Sequence, residues 1–124
     1  MVDSKLLDSS IWISYLFEGK YIKEIESDKQ LFLSILSLFE IKVKLMKKKI
    51  KEEVVNENMD FIKKKSMILQ LSEGIAEKAA EISAKSKLPS FDAIIYTTAL
   101  LNNIELITSD NDFRGLKGAV VLEN

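Results

Sequence analysis

Five acidic side chains stand where they could do chemistry: Asp8, Glu40, Asp92, Asp110 and Asp112. Asp8 directly follows the apolar run Lys5-Leu6-Leu7, and Asp110 and Asp112 follow the apolar stretch that ends at Thr108. The chain has no His and no Cys. That excludes imidazole acid–base pairs, Ser-His-Asp triads, thiol nucleophiles, disulfide frames and the usual structural zinc sites. Catalysis is left to carboxylates, hydroxyls, Lys, Tyr, the lone Arg114 and a metal held by oxygen. Three or four carboxylates gathered within a few ångströms repel, and at least one takes up a proton unless a cation joins them. A hard divalent ion such as Mg²⁺ or Mn²⁺ removes the conflict. Such an ion makes its bound water a better nucleophile and neutralises charge that builds on a phosphodiester.

The elements that must position these acids alternate strand and helix. Lys5–Leu7 reads as a short strand, with a helix over Ile11–Phe17 ended by Gly19. A short helix at Lys20–Ser27 and a strand at Gln30–Leu33 follow. Ser34 or Ser37 can cap a long helix that runs to about Lys49. Then come a helix at Glu52–Lys65, a strand at Met67–Leu71 and a helix from Ser72-Glu73 to about Lys87. After Pro89, Ser90 is the expected N-cap of a helix to Asn102, followed by strands at Ile104–Thr108 and Ala119–Leu122. A turn with a short helical piece, Ser109–Leu116, joins those two strands. Strands joined by helices rather than by two-residue hairpins imply crossovers. The expected fold is therefore α/β, a central parallel sheet of about five strands with helices on both faces. In such sheets ligands lie at the carboxyl ends of the strands, where Asp8, Asp110 and Asp112 fall.

Taken singly, each acid has a plain structural account. Asp8 could cap a helix, and Asp110 and Asp112 could shape an Asx turn. Glu40 borders the apolar arc Leu36, Phe39, Val43 and Met46, and could pair with Lys44 one turn on. Asp92 falls in the first turn of a helix that is apolar nearly all round, where an acid favours the helix dipole. Taken together, these accounts require several acids to converge on one rim by accident.

The 124 residues suffice for one domain, and 47% hydrophobic with 30% charged residues is the balance of a folded one. The net charge of −1 argues against a generic basic coat for nucleic acid. Six Lys crowd between positions 42 and 51 without an acid among them. Lys44, Lys47 and Lys48 share a polar arc near Glu40 and could follow an RNA backbone, or simply form a solvated face. No signal peptide and no membrane span are expected, and the lack of Cys suits a cytoplasmic protein.

Four segments carry a resemblance to a known family. They are Leu6-Leu7-Asp8-Ser9-Ser10-Ile11, Ser34–Glu40-Ile41, Leu88-Pro89-Ser90-Phe91-Asp92-Ala93-Ile94-Ile95 and Leu106-Ile107-Thr108-Ser109-Asp110-Asn111-Asp112-Phe113. In that order and spacing the whole chain resembles a PIN-domain protein, specifically a VapC-type toxin ribonuclease of a toxin–antitoxin pair. The resemblance implies a Mg²⁺- or Mn²⁺-dependent endoribonuclease. It matches Asp8, Glu40, Asp92 and Asp110 to the family's acids, with Asp112 a weaker match. Asp8, Asp92, Asp110 and Asp112 are the metal-site expectations, with Ser10 and Thr108 as hydroxyls that orient carboxylates or water. A homodimer and a VapB-like antitoxin are the implied partners. Two rivals are a non-catalytic RNA-binding or interaction module on the same fold and a receiver-like phosphoacceptor domain. The latter would want paired acids after the first strand, where this chain has Asp8-Ser9-Ser10.

Overall fold

The structure, a computed structural model, describes residues 3–123. The strands are β1 (Ser4–Leu7), β2 (Gln30–Ser34), β3 (Ser66–Leu69), β4 (Glu105–Thr108) and β5 (Ala119–Val121). The helices are α1 (Ser9–Glu18), α2 (Ile22–Ile25), α3 (Ile35–Lys47), α4 (Glu52–Lys65), α5 (Glu73–Lys85) and α6 (Ser90–Leu101). A single 3-10 turn, Asn111–Phe113, precedes β5. The five strands form one parallel sheet in the order β3-β2-β1-β4-β5.

Alternation along the strands builds a core on each face, as a parallel sheet covered on both sides requires. Leu7, Leu31, Leu33 and Ile107 point to one face, where Ile11 and Trp12 of α1, Ile41 and Leu45 of α3, and Met59 and Ile62 of α4 cover them. Leu6 and Leu106 point to the other, under Ala79 of α5 and Ala93, Ile95 and Ala99 of α6. Local signals start and stop the helices. Ser34 Oγ accepts from the Leu36 N–H at 3.1 Å, and Ser72 Oγ accepts from the Ile75 N–H at 3.1 Å. Gly19 ends α1 at φ 68°, a left-handed conformation that costs a residue without Cβ little.

Two local expectations are corrected. Pro89, not Ser90, is the N-cap of α6: Ser90 is already helical, and the Ala93 N–H bonds to the Pro89 carbonyl at 2.8 Å. On α3 the buried face is Ser37, Ile41 and Leu45, whereas Phe39 and Met46 are 59% and 61% exposed. Two overlapping apolar arcs run along this helix, and α1 and α4 pack on the other one. Phe39 and Met46 instead line an apolar cleft of about 740 Å³ between α3 and α4, with Ile35, Leu38 and Val43. Helix α6 is mostly buried, through Ala93, Ile95, Tyr96, Thr97, Thr98 and Ala99, with Phe91 and Leu101 exposed.

Candidate active site

The chain runs from β1 outward through β2 to β3, then returns to place β4 and β5 on the opposite side of β1. The strand order therefore reverses between β1 and β4, the position at which open α/β sheets bind ligands beyond the strand ends. The register pairs Leu7 with Ile107, so Asp8 and Thr108 are the next residues at that rim. The Asp8 N–H continues the ladder by donating to the Ile107 carbonyl at 2.9 Å.

Asp8 is only 4% exposed, yet it carries a carboxylate. Two hydroxyls converge on one of its oxygens. Thr108 Oγ1 donates to Asp8 Oδ2 at 2.7 Å and Ser10 Oγ donates to the same atom at 2.9 Å. Each hydroxyl is itself held by a backbone donor. The Asp110 N–H donates to Thr108 Oγ1 at 3.0 Å, and the Ser109 N–H donates to Ser10 Oγ at 3.1 Å. With their lone pairs engaged by backbone, both hydroxyl protons are directed at Asp8. Both hydroxyl bonds fall on Oδ2, and the Ser9 backbone N–H adds a further bond to the carboxylate. Burial pushes the Asp8 carboxyl upward, while the hydrogen bonds from Thr108 and Ser10 oppose that rise. Asp8 occupies the N-cap position of α1 but its side chain caps nothing; the structural account of this residue is not the one the fold uses.

Asp92, Asp110 and Asp112 come from α6 and from the β4–β5 connection. Each offers an oxygen within 4.8 Å of the others. Asp110 Oδ1 accepts from the Asp112 N–H at 2.9 Å, which fixes the turn that brings the pair together. Asp92 sits in the first turn of α6, where the helix dipole favours an anion. Its carboxyl is nonetheless pushed up to about 7, first by burial and then by the charges of Asp110, Asp8, Asp112 and Glu40. Repulsion and desolvation outweigh the dipole here. Asp8 and Glu40 lie outside the close trio but act on Asp92 through their charge.

Glu40 reaches the rim from α3. Burial raises its carboxyl, Ser9 opposes the rise, and the charges of Asp8 and Asp110 add to it. The i+4 pairing with Lys44 is not formed; Ser9 Oγ donates to Glu40 Oε1 at 3.1 Å instead. Ser9 is not among the site expectations, because no local spacing announces a contact across 31 positions. Among the described residues, no Lys or Arg forms an ion pair with any of the five acids. Five carboxylates without a protein cation, three with oxygens inside 4.8 Å, fit a hard divalent ion.

Lys44, Lys47 and Lys48 are exposed, as a steering row requires. They run down α3 away from the rim, Lys44 about 6 Å and Lys47 about 10 Å along the axis from Glu40. Lys48 Nζ stands 6.0 Å from the centre of the Phe17 ring.

A family model, PIN domain, matches residues 5–119. The chain belongs to the PIN domain family, and the receiver-like reading falls away. No curated protein matches it. Among solved structures it is similar to a toxin–antitoxin complex from Klebsiella pneumoniae, with 28% identity and a TM-score of 0.80 over 97% of this chain and 99% of that one. The VapBC2 structure from Rickettsia felis, bound to a DNA fragment from its promoter, has 15% identity and a TM-score of 0.78, covering 97% and 98%. Mycobacterium tuberculosis VapC20, a sarcin–ricin loop cleaving toxin, has 16% identity and a TM-score of 0.74, covering 97% and 99%. The last two likenesses concern the fold alone.

Proposed function

We propose that this protein is a metal-dependent endoribonuclease, the toxin of a VapBC-type toxin–antitoxin pair. The observation that carries the reading is the gathering of five acids at the β1/β4 reversal with no Lys or Arg among the described residues paired to them. Membership of the PIN domain family and the toxin–antitoxin complex of similar sequence and shape support it. The VapC20 fold adds RNA as the substrate class of one neighbour.

Asp92, Asp110 and Asp112 would hold Mg²⁺ or Mn²⁺, with Asp8 at the same rim. When bound, the ion supplies charge neutralisation at the scissile phosphate and a more acidic water. The chain's own residues do the rest. Thr108 and Ser10 oppose the rise that burial imposes on the Asp8 carboxyl and fix its orientation. Glu40, raised by burial and by neighbouring acids, accepts the proton of the attacking water. Lys44, Lys47 and Lys48 draw the RNA backbone toward the rim. The apolar cleft bearing Phe39 and Met46 gives a VapB-like antitoxin a surface to cover. A homodimer remains the family's expectation. The site lies within the described part of the chain, where no helix is long and apolar enough to cross a membrane.

The test is cleavage of a labelled RNA with and without Mg²⁺ or Mn²⁺. Metal-dependent scission that EDTA abolishes and that Asp92→Asn removes is the expected result. RNA binding without scission under every metal condition would leave the non-catalytic module as the better reading.

A further inference from the structure

Ser9 and Ser10 are adjacent in sequence but serve different acids. Ser10 joins Thr108 on Asp8 Oδ2. Ser9 alone crosses to α3, where its Oγ donates to Glu40 Oε1. Glu40 has three side-chain torsions to fix and a half-buried setting among like charges. Repulsion from Asp8 and Asp110 would turn it outward. Lys44, the cation one turn along, does not hold it. The Ser9 hydroxyl is not used to start α1, whose first turn has no side-chain cap. Ala has the better intrinsic helix propensity, so the helix itself does not call for Ser at this position.

We infer that Ser9 is a positioning residue: its hydroxyl holds the Glu40 carboxylate toward the acid rim. The inference rests on the reading of Glu40 as the proton acceptor, but the orientation it asserts is measurable without RNA. The expected kinetic signature of Ser9→Ala is a fall of about 10- to 100-fold in kcat, the size of effect that misplacing a reacting group produces. KM for RNA and binding of Mn²⁺ stay as in the wild type. Ser9→Thr, which keeps the hydroxyl, restores most of the rate. In a Glu40→Gln background Ser9→Ala costs nothing further, because the group it positions is already gone.

The experiment pairs those rates with NMR three-bond couplings of the Glu40 side chain in the full chain with Mg²⁺. One dominant rotamer in the wild type and in Ser9→Thr, averaged in Ser9→Ala, is the expected result. Identical couplings in wild type and Ser9→Ala would overturn the inference, as would an equal loss of rate in both Glu40 backgrounds. If the couplings change while Glu40→Gln cuts RNA at the wild-type rate, Ser9 still positions Glu40 and the role given to Glu40 is what falls.

Discussion

The two ends of β1 handle acidic residues in opposite ways. At its start, Lys5 lies beside both Asp3 and Glu105, and Lys29 Nζ is 2.9 Å from Asp3 Oδ2. Hydrogen bonds from Lys29 and Lys5 hold the Asp3 carboxyl below its ordinary range. At the other end, Asp8, Glu40 and Asp92 are all raised, and none has a cationic partner among the described residues. The same strand thus separates acids paired with lysines from acids without a cationic partner among the described residues. Exposed pairs like those of Asp3 contribute little to stability. At the unpaired rim, hydroxyls and backbone donors hold Asp8 in place.

That contrast can be broken by substitution. Asp8→Asn should reduce metal-dependent RNA cleavage by at least about 100-fold, the usual scale for a group acting on the reacting atoms. Glu105→Gln, at the paired end, should change the rate less than about twofold, because an exposed ion pair is worth at most about 1 kcal/mol and touches no reacting atom. Thermal melts should show Thr108→Val destabilised by about 1–3 kcal/mol, since it removes a donor from a buried carboxylate and leaves the Asp110 N–H without its acceptor.

The two ends should also answer pH with opposite signs. Asp92 loses its proton near the ordinary carboxylate range when unfolded and only at about 7 when folded. Between those values the native state binds the extra proton, so stability of the metal-free protein falls as pH rises from about 4 to about 7. Asp3 has a lowered value, so its contribution is present above the ordinary range and is lost as pH falls through its folded value. Melting temperatures between pH 5 and 8 with EDTA should decline, and Asp92→Asn should flatten that decline. Added Mn²⁺ should offset it most at high pH, where the ion no longer competes with a proton for Asp92. Replacing Lys44, Lys47 and Lys48 by Gln should weaken RNA binding and make the salt slope shallower by about 2, the release expected from three single-strand phosphate contacts.

Much of this architecture was legible in the residues. Short apolar runs, Gly19, Ser34 and Ser72 marked the elements, and the rule for strand ends pointed to Asp8, Asp110 and Asp112. Glu40 and Asp92, ambiguous by helical position, needed the family resemblance to join them. What stayed hidden depends on tertiary packing. On α3 the residues offer two apolar arcs, and only the placement of α1 and α4 decides that Ile41 and Leu45 go inward while Phe39 and Met46 stay out. The Ser9–Glu40 bond is invisible for the same reason: it joins the start of α1 to the middle of α3, two helices that only the sheet order brings together.

The central claim is that the acids beyond β1 and β4 exist to grip a divalent cation. An anomalous difference map from a crystal soaked in Mn²⁺ tests it most directly. The account predicts a strong peak bounded by Asp92, Asp110 and Asp112 that disappears in Asp92→Asn. A saturating soak with no peak at that rim, or with manganese only at other acids, would contradict it.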